Sequence, residues 1–415
     1  MVSTDTGTAD LIALAHNADQ RAFATEALDF LARHAPRRAA EDVAWGVGDE
    51  RLTLFHETTD DEERAEATAA LGWQKTRWEA GFGWIAGPVE FGGRGLTAEY
   101  DALYRRIEAA FDVPDASPLR IGIGTVGPAI LKYGSPDQIK QYAVAIYRGD
   151  IIACQLFSEP AAGSDLAGVR TRAIQVTGGW ELTGQKVWTS NATFADVGLA
   201  LVRTDPAVQK HRGLTMFLVP MTAEGVDVRR LRQMTGGSSF CEVFLDQVAV
   251  PESAMLGELG GGWTVAVGAL AGERKAVGDR NHEVTDRALA LLRELAQNRG
   301  AFADPHVRQQ WSRVYSMLRI ARAHQQRVQA LPESQLSGAE RAIDKLLLAA
   351  NLRALGELAA TILGQELVVN SHEWGTFGWN KWIMGAFGYR IAGGTEEILK
   401  TMLAERVLML PKEGR

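Results

Sequence analysis

The feature that most constrains this chain is a double change in the period of its apolar residues. Up to about residue 150 they recur every three or four positions. From there to about 257 they alternate or gather in short β-branched runs, and beyond that the helical period returns. In the first region Phe23, Ala27, Phe30 and Leu31 share one face of a helix expected over 19–34. Similar stretches run over 62–81 and 97–111, separated by the glycine-rich GPVEFGGRG. Pro114 and Pro118 interrupt the pattern, and Gly134-Ser135-Pro136 marks a helix start. In the middle region RTRAIQVT and WELTGQKVW alternate on either side of Gly178-Gly179, a hairpin signal. VGLALVRT, GLTMFLVP, GVDVRRL and CEVFLDQVAV read as further strands. Long periodic segments from Gly262 to Leu410 read as a bundle. The expected fold is α+β in three parts: an N-terminal helical domain over 1–150, a central antiparallel β-domain over 151–257 and a C-terminal helical bundle over 258–415.

Composition narrows the functional class. A chain of 415 residues is too long for one core, and 46% apolar with 23% charged residues excludes wholesale disorder. Lys and Arg number 44 against 51 Asp and Glu, a net charge of −7 that disfavours a dedicated nucleic-acid binder. Cys154 and Cys241 are the only cysteines, which rules out a disulfide scaffold and fits a reducing cytoplasm. No unbroken apolar run approaches the roughly 18–20 residues of a membrane helix, and the N-terminus lacks the pattern of a signal peptide. The expectation is a cytoplasmic protein without membrane insertion. His16, His34, His56, His211, His282, His306, His324 and His372 lack ligand spacing, so no metal is expected.

The stretch Gln155-Leu156-Phe157-Ser158-Glu159-Pro160-Ala161-Ala162-Gly163-Ser164-Asp165 combines hydroxyls, small residues and a Gly-Ser-Asp turn. Such a loop lets backbone N–H groups approach a ligand closely, though by composition alone it is a surface loop. It is neither a Walker A loop nor a G-x-G-x-x-G fingerprint.

QLFSEPAAGSDLAGVRTRA resembles the first signature of the acyl-CoA dehydrogenase family. GQKVWTSNATFAD is similar to the block whose tryptophan packs on the flavin. CEVFLDQVAVPESAMLGELGGGW is similar to the exit from the family's β-domain, and IAGGTEEILKTMLAERVL to its C-terminal signature. The four blocks stand in family order. The resemblance implies that FAD is lined by Gln155, Leu156, Phe157, Ser158, Gly163 and Ser164, with Ser164 also touching the pantetheine arm of the thioester. Trp188 is implied to cover one flavin face, with Thr189 beside it and Ser190 near N5. Arg299 and Phe302 in RGAF match an arginine and phenylalanine that the family extends to a neighbouring subunit's flavin. Thr395 and Glu397 in GGTEEI match positions near the adenosine or ribityl part. The family's glutamine-bearing contact has no clear counterpart, although Gly364 and Gln365 lie nearby. Read without the resemblance, a strand tryptophan is core and an arginine after a helix is solvated.

Taking an α-proton from an acyl thioester requires a desolvated carboxylate within hydrogen-bond reach. Many members of the family carry it just before the Gly-Thr of the last signature, where this chain has Gly393. A branch similar to isovaleryl-type and long-chain-type enzymes carries it on the first helix after the β-domain, before an arginine. Here that pair is Glu273-Arg274. The resemblance therefore implies Glu273 as base, the Gly393 backbone N–H as donor to the thioester carbonyl, and Arg274 and Gly394 as substrate contacts. The bland reading of Glu273 is a surface carboxylate.

The implied activity is oxidation of an acyl-CoA to its trans-2-enoyl-CoA by a homo-oligomer, dimer or tetramer, reoxidised by an electron-transfer flavoprotein. Small residues at Gly393, Ala269, Ala271 and Gly272 leave room for a bulky or steroid-type acyl group. Two alternatives remain open: a flavin monooxygenase or nitroalkane-oxidase-like enzyme on the same scaffold, and a non-catalytic partner subunit.

Overall fold

The computed structural model describes residues 7–38, 54–55, 58–278, 281–329, 331, 338–370 and 377–412; residues 271–278, 281–283 and 329 are described by backbone alone. The order helical, β, helical holds across it. The N-terminal helices Ala18–His34, Asp60–Glu79 and Ala98–Glu108 form where the period placed them. Asn17 caps the first through the Gln20 N–H at 2.8 Å, and Thr59 with Glu62 forms a reciprocal box on the second. Their apolar faces meet on Phe23, Phe30, Trp73, Phe82, Tyr104 and Phe111. Two short segments, Gly122–Val126 and Ile139–Ala143, widen into π-helix. Apolar spacing gives no warning of them, because one extra residue merely advances the stripe.

The middle region contains β1 Ala153–Leu156, β2 Arg172–Val176, β3 Gly179–Ser190, β4 Val197–Arg203, β5 Leu214–Pro220, β6 Val226–Leu231, β7 Phe240–Pro251 and β8 Met255–Leu256. They join as β6-β7-β3-β2-β4-β5-β8, with β1 beside β4. The sheet is therefore mixed, not wholly antiparallel as the hairpin signals suggested: β1 runs parallel to β4, Ala153 opposite Val197. A parallel pair needs a long crossover, and the 157–164 loop with the β2–β3 hairpin supplies it. β1 escapes notice because a four-residue strand, apolar at three positions and preceding a stretch rich in small residues, looks like the mouth of a loop.

β4 and β5 are buried on both faces. Ala200, Val202, Phe217 and Val219 enter one core with Trp180, Leu182, Val243 and Leu245. Val197, Leu199, Leu201, Leu214, Met216 and Leu218 enter a second, which Val265, Ala266 and Ala269 of the Gly262–Gly278 helix also line. Two-sided burial explains why both strands read as continuous apolar runs.

The C-terminal bundle packs helices Asn281–Asn298, Pro305–Gln329, Ala339–Leu363 and Phe377–Ile391 around Leu292, Leu352, Leu355, Trp379 and Trp382. Trp382 Nε1 donates to the Leu352 carbonyl at 2.9 Å. Residues 339–368 are long and apolar enough overall to cross a membrane despite their scattered charges, and more than half of their most apolar stretch is buried in the bundle. That burial is what a central core helix requires. A last helix, Glu396–Arg406, closes the described chain.

Gly262 starts its helix against β5: a Cβ added there would lie 2.6 Å from Thr215 backbone, whereas one at Gly72 would meet nothing within 4 Å. Gly262→Ala should lower stability by about 1–3 kcal/mol through overpacking. Gly72→Ala, in an open helix interior, should raise it by about 0.5–1 kcal/mol. Denaturant unfolding of the two variants measures both.

Candidate active site

β1 delivers the 155–164 stretch from the core outward. Gln155 is half-buried and Leu156 and Phe157 are buried, anchoring a loop on which Ser158 is half-buried and Gly163 and Ser164 are exposed. Glu159 and Ala162 exchange backbone hydrogen bonds, both at 3.0 Å, closing a tight turn, and the Ser158 carbonyl accepts from the Val187 N–H at 2.9 Å. The loop is thus bonded to the strand that carries the tryptophan. The hydroxyls of Ser158, Ser164 and Ser190 make no hydrogen bond with any described residue.

Beneath this surface lies a buried ion pair that sequence reasoning missed. Lys186, 0% exposed, donates to Glu159 Oε1 at 2.8 Å and to the carbonyls of Phe157 at 3.1 Å and Leu201 at 2.6 Å. The Glu159 carboxylate, 7% exposed, also accepts from the N–H groups of Arg170 at 2.6 Å and Thr171 at 2.9 Å. Every donor of the ammonium is used. Burial pushes the Lys186 ammonium down to about 8, against the attraction of Glu159. Burial raises the Glu159 carboxyl, but Lys186 and the hydrogen bonds from Thr171 and Arg170 outweigh it and hold the group below the usual carboxylate range. The signal in the sequence was a lysine two positions before the tryptophan, inside an otherwise alternating strand.

Trp188 sits at a bulge of β3 against β7, between Lys186 and Thr189. Its φ of 61° is left-handed, a costly conformation for a bulky residue, and its side chain is 61% exposed. Phe240 meets the ring edge-on at 6.0 Å and 82°. A core tryptophan would turn inward; this one is held outward as an open aromatic face. Thr189, next to it, is 1% exposed with its hydroxyl unbonded in the interior, so the Thr189 side chain faces the core while Ser190 returns to the half-buried side.

The remaining residues fall elsewhere. Gly393 and Gly394 follow the Phe377–Ile391 helix with φ of 69° and 95°, and their N–H groups donate to no described residue. Thr395 caps the next helix through the Ile398 N–H at 3.2 Å. The exposed Glu397 carboxyl is held low by its own backbone N–H at that helix start, with the Thr395 hydroxyl adding to the effect. Arg299 is gripped within the chain by Glu366, through Nη1 at 2.8 Å and through Nη2. Phe302 packs edge-on against Trp311 at 5.4 Å. No described hydrogen bond joins either RGAF residue to the 155–190 unit. Positions 273 and 274 lie on the Gly262–Gly278 helix, but the side chains of Glu273 and Arg274, like those of Ala271 and His282, lie outside the described residues, as do His56 and His372.

Removing one partner of the buried pair leaves an uncompensated charge, so Lys186→Met should cost about 3–5 kcal/mol. Adding Glu159→Gln to it should recover a substantial part, because the buried charge is then gone. A double-mutant cycle from urea unfolding measures the coupling; additive losses would show that the pair does not act as a unit.

Models of the acyl-CoA dehydrogenase N-terminal, middle and C-terminal domains match residues 47–150, 154–248 and 260–408. The chain is 38% identical over 358 residues to the acyl-CoA dehydrogenase FadE34 of Mycobacterium tuberculosis, a match covering 85% of this chain and 47% of that protein. It thus spans about half the length of that relative. It is 34% identical over 344 residues to the acyl-CoA dehydrogenase IpdE1 of the same organism, covering 83% of this chain and 88% of the relative. Among solved structures, the Tcur3481-Tcur3483 steroid ACAD superposes with a TM-score of 0.72 at 24% identity, over 96% of this chain and 100% of that one. Three domain matches in order, on a helical, β, helical chain, place this protein in the acyl-CoA dehydrogenase family of FAD-dependent oxidoreductases.

Proposed function

We propose that this chain oxidises an acyl-CoA thioester to its trans-2-enoyl-CoA with FAD as cofactor. The observation that supports this best is the outward Trp188 held beside the unbonded hydroxyls of Ser158 and Ser190 on one unit. These residues fit a flavin: an open aromatic face, free hydroxyls, and a loop glycine, Gly163, whose added Cβ would meet nothing within 4 Å. Gln155, Leu156, Phe157 and Ser164 complete the loop, while Thr189 contributes through its backbone. When bound, FAD supplies the acceptor for the hydride that leaves the β-carbon.

The chain's own residues supply the rest. Glu273 takes the α-proton, so the electrons of that C–H bond form the new double bond as the β-hydride departs. Its support is register: Ala266 and Ala269 of the same helix are buried, and position 273 follows at helical spacing. The Gly393 N–H, without a partner among the described residues, receives the thioester carbonyl oxygen as negative charge develops there. Ser164, Arg274 and Gly394 hold the CoA thioester, and Thr395 and Glu397 face the cofactor's ribityl or adenosine end. The absent side chain at 393 and the small Ala269 suit a bulky acyl group, the class named for the steroid-type structural neighbour.

Arg299 and Phe302 serve a neighbouring subunit's flavin in a homo-oligomer, and an electron-transfer flavoprotein accepts the electrons. Exposed Val407, Leu408, Met409 and Leu410 give the C-terminus an apolar surface suited to assembly.

Purified protein should carry FAD that an acyl-CoA bleaches anaerobically, with bulky acyl groups acting faster than short straight ones. Glu273→Gln keeps size and hydrogen bonding but removes the proton acceptor, so bleaching should slow about 10²–10⁴-fold with FAD content unchanged. Stopped-flow absorbance at the flavin band decides it; a wild-type rate in the variant means another group is the base. Arg299→Ala should lower FAD retention and shift the assembly to smaller species on size-exclusion chromatography, and unchanged FAD content would remove Arg299 from the cofactor site.

A further inference from the structure

The Gly393–Gly394 turn carries the donor for the thioester carbonyl, yet two consecutive left-handed glycines form the least restrained of dipeptides. An N–H mounted there keeps its direction only if something outside the turn fixes it. Lys345, on the Ala339–Leu363 helix and 7% exposed, reaches across to do so. Its Nζ donates to the Gly394 carbonyl at 2.8 Å and to the Arg390 carbonyl at 3.3 Å, one after Gly393 and one before it. Arg390 Nε meets Glu396 Oε1 at 3.3 Å, tying the two ends of the turn together. Burial lowers the Lys345 ammonium, Glu396 and Glu397 oppose that shift, and Arg390 adds to it.

We propose that Lys345 is the positioning residue for the Gly393 N–H, fixing the angle at which it meets the thioester carbonyl oxygen. This rests on the dehydrogenase reading above. A plain cap of the Phe377–Ile391 helix would need only the bond to Arg390, since cations favour the last carbonyls of any helix. The shorter bond, to Gly394, lies beyond the helix and restrains the turn itself.

The test uses the FAD-loaded enzyme with Lys345→Met and Lys345→Arg. An oxyanion donor is worth about 10²–10³-fold in rate, so its misalignment in Lys345→Met should slow anaerobic bleaching by an acyl-CoA about 10–100-fold. KM for the acyl-CoA and FAD content should stay close to wild type. Amide hydrogen exchange across 390–399 should quicken in Lys345→Met alone, and Lys345→Arg should restore much of the rate. Bleaching by Lys345→Met at the wild-type rate overturns the proposal, as does unaltered exchange across 390–399. Wild-type protein that no acyl-CoA bleaches overturns the dehydrogenase reading instead, and the exchange comparison still judges the hold on the turn. If Lys345→Met does not fold, Lys345→Gln, too short to span both carbonyls, is read by the same criteria.

Discussion

The contact between Lys186 and Glu159 is the constraint on which the 157–164 loop and the strand that carries Trp188 depend. Its ammonium joins β3, β4 and the 157–164 loop through one charged and two carbonyl acceptors, all inside the protein. A surface ion pair would be screened and worth little. This one is dry, and each charge would be costly without the other. The result is a loop that looks soft in composition, with two alanines, two serines and a glycine among its eight residues, yet is bonded to the strand beside it. Trp188, two residues from Lys186, inherits that rigidity and can be held in a backbone conformation it would not adopt alone.

The same principle recurs at the other end of the chain, where Lys345 is buried against carbonyls rather than a carboxylate. In both places a flexible glycine-containing segment is steadied by a lysine from an element distant in sequence. The segments themselves then need no bulky side chains to hold their shape, because the cation bonds them from behind.

The three-part architecture was legible because long periodic segments report burial directly: the helices at 18–34, 60–79 and 98–108 and the β2–β3 hairpin lie where apolar spacing put them. β1 was not legible, since its partner stands more than forty residues away and a strand of only four residues carries no period of its own. The candidate flavin residues could be named only through family resemblance. Composition gave no hint that Trp188 points outward, Thr189 inward, or that Arg299 is held by Glu366. The two buried lysines were invisible for a related reason: a charge within an apolar pattern reads as a solvated position unless its partners, distant in sequence, are known.

The parallel pairing of β1 with β4 also orders events as the chain folds. Ala153 pairs with Val197 across the intervening loop and β2–β3 hairpin, and contacts of such separation are slow to form because their loop entropy must be overcome first. The Lys186 clamp forms only then, since it needs the loop, β3 and β4 together. The β2–β3 hairpin, local in sequence, can therefore form while the 157–164 loop still lacks its anchor on Lys186.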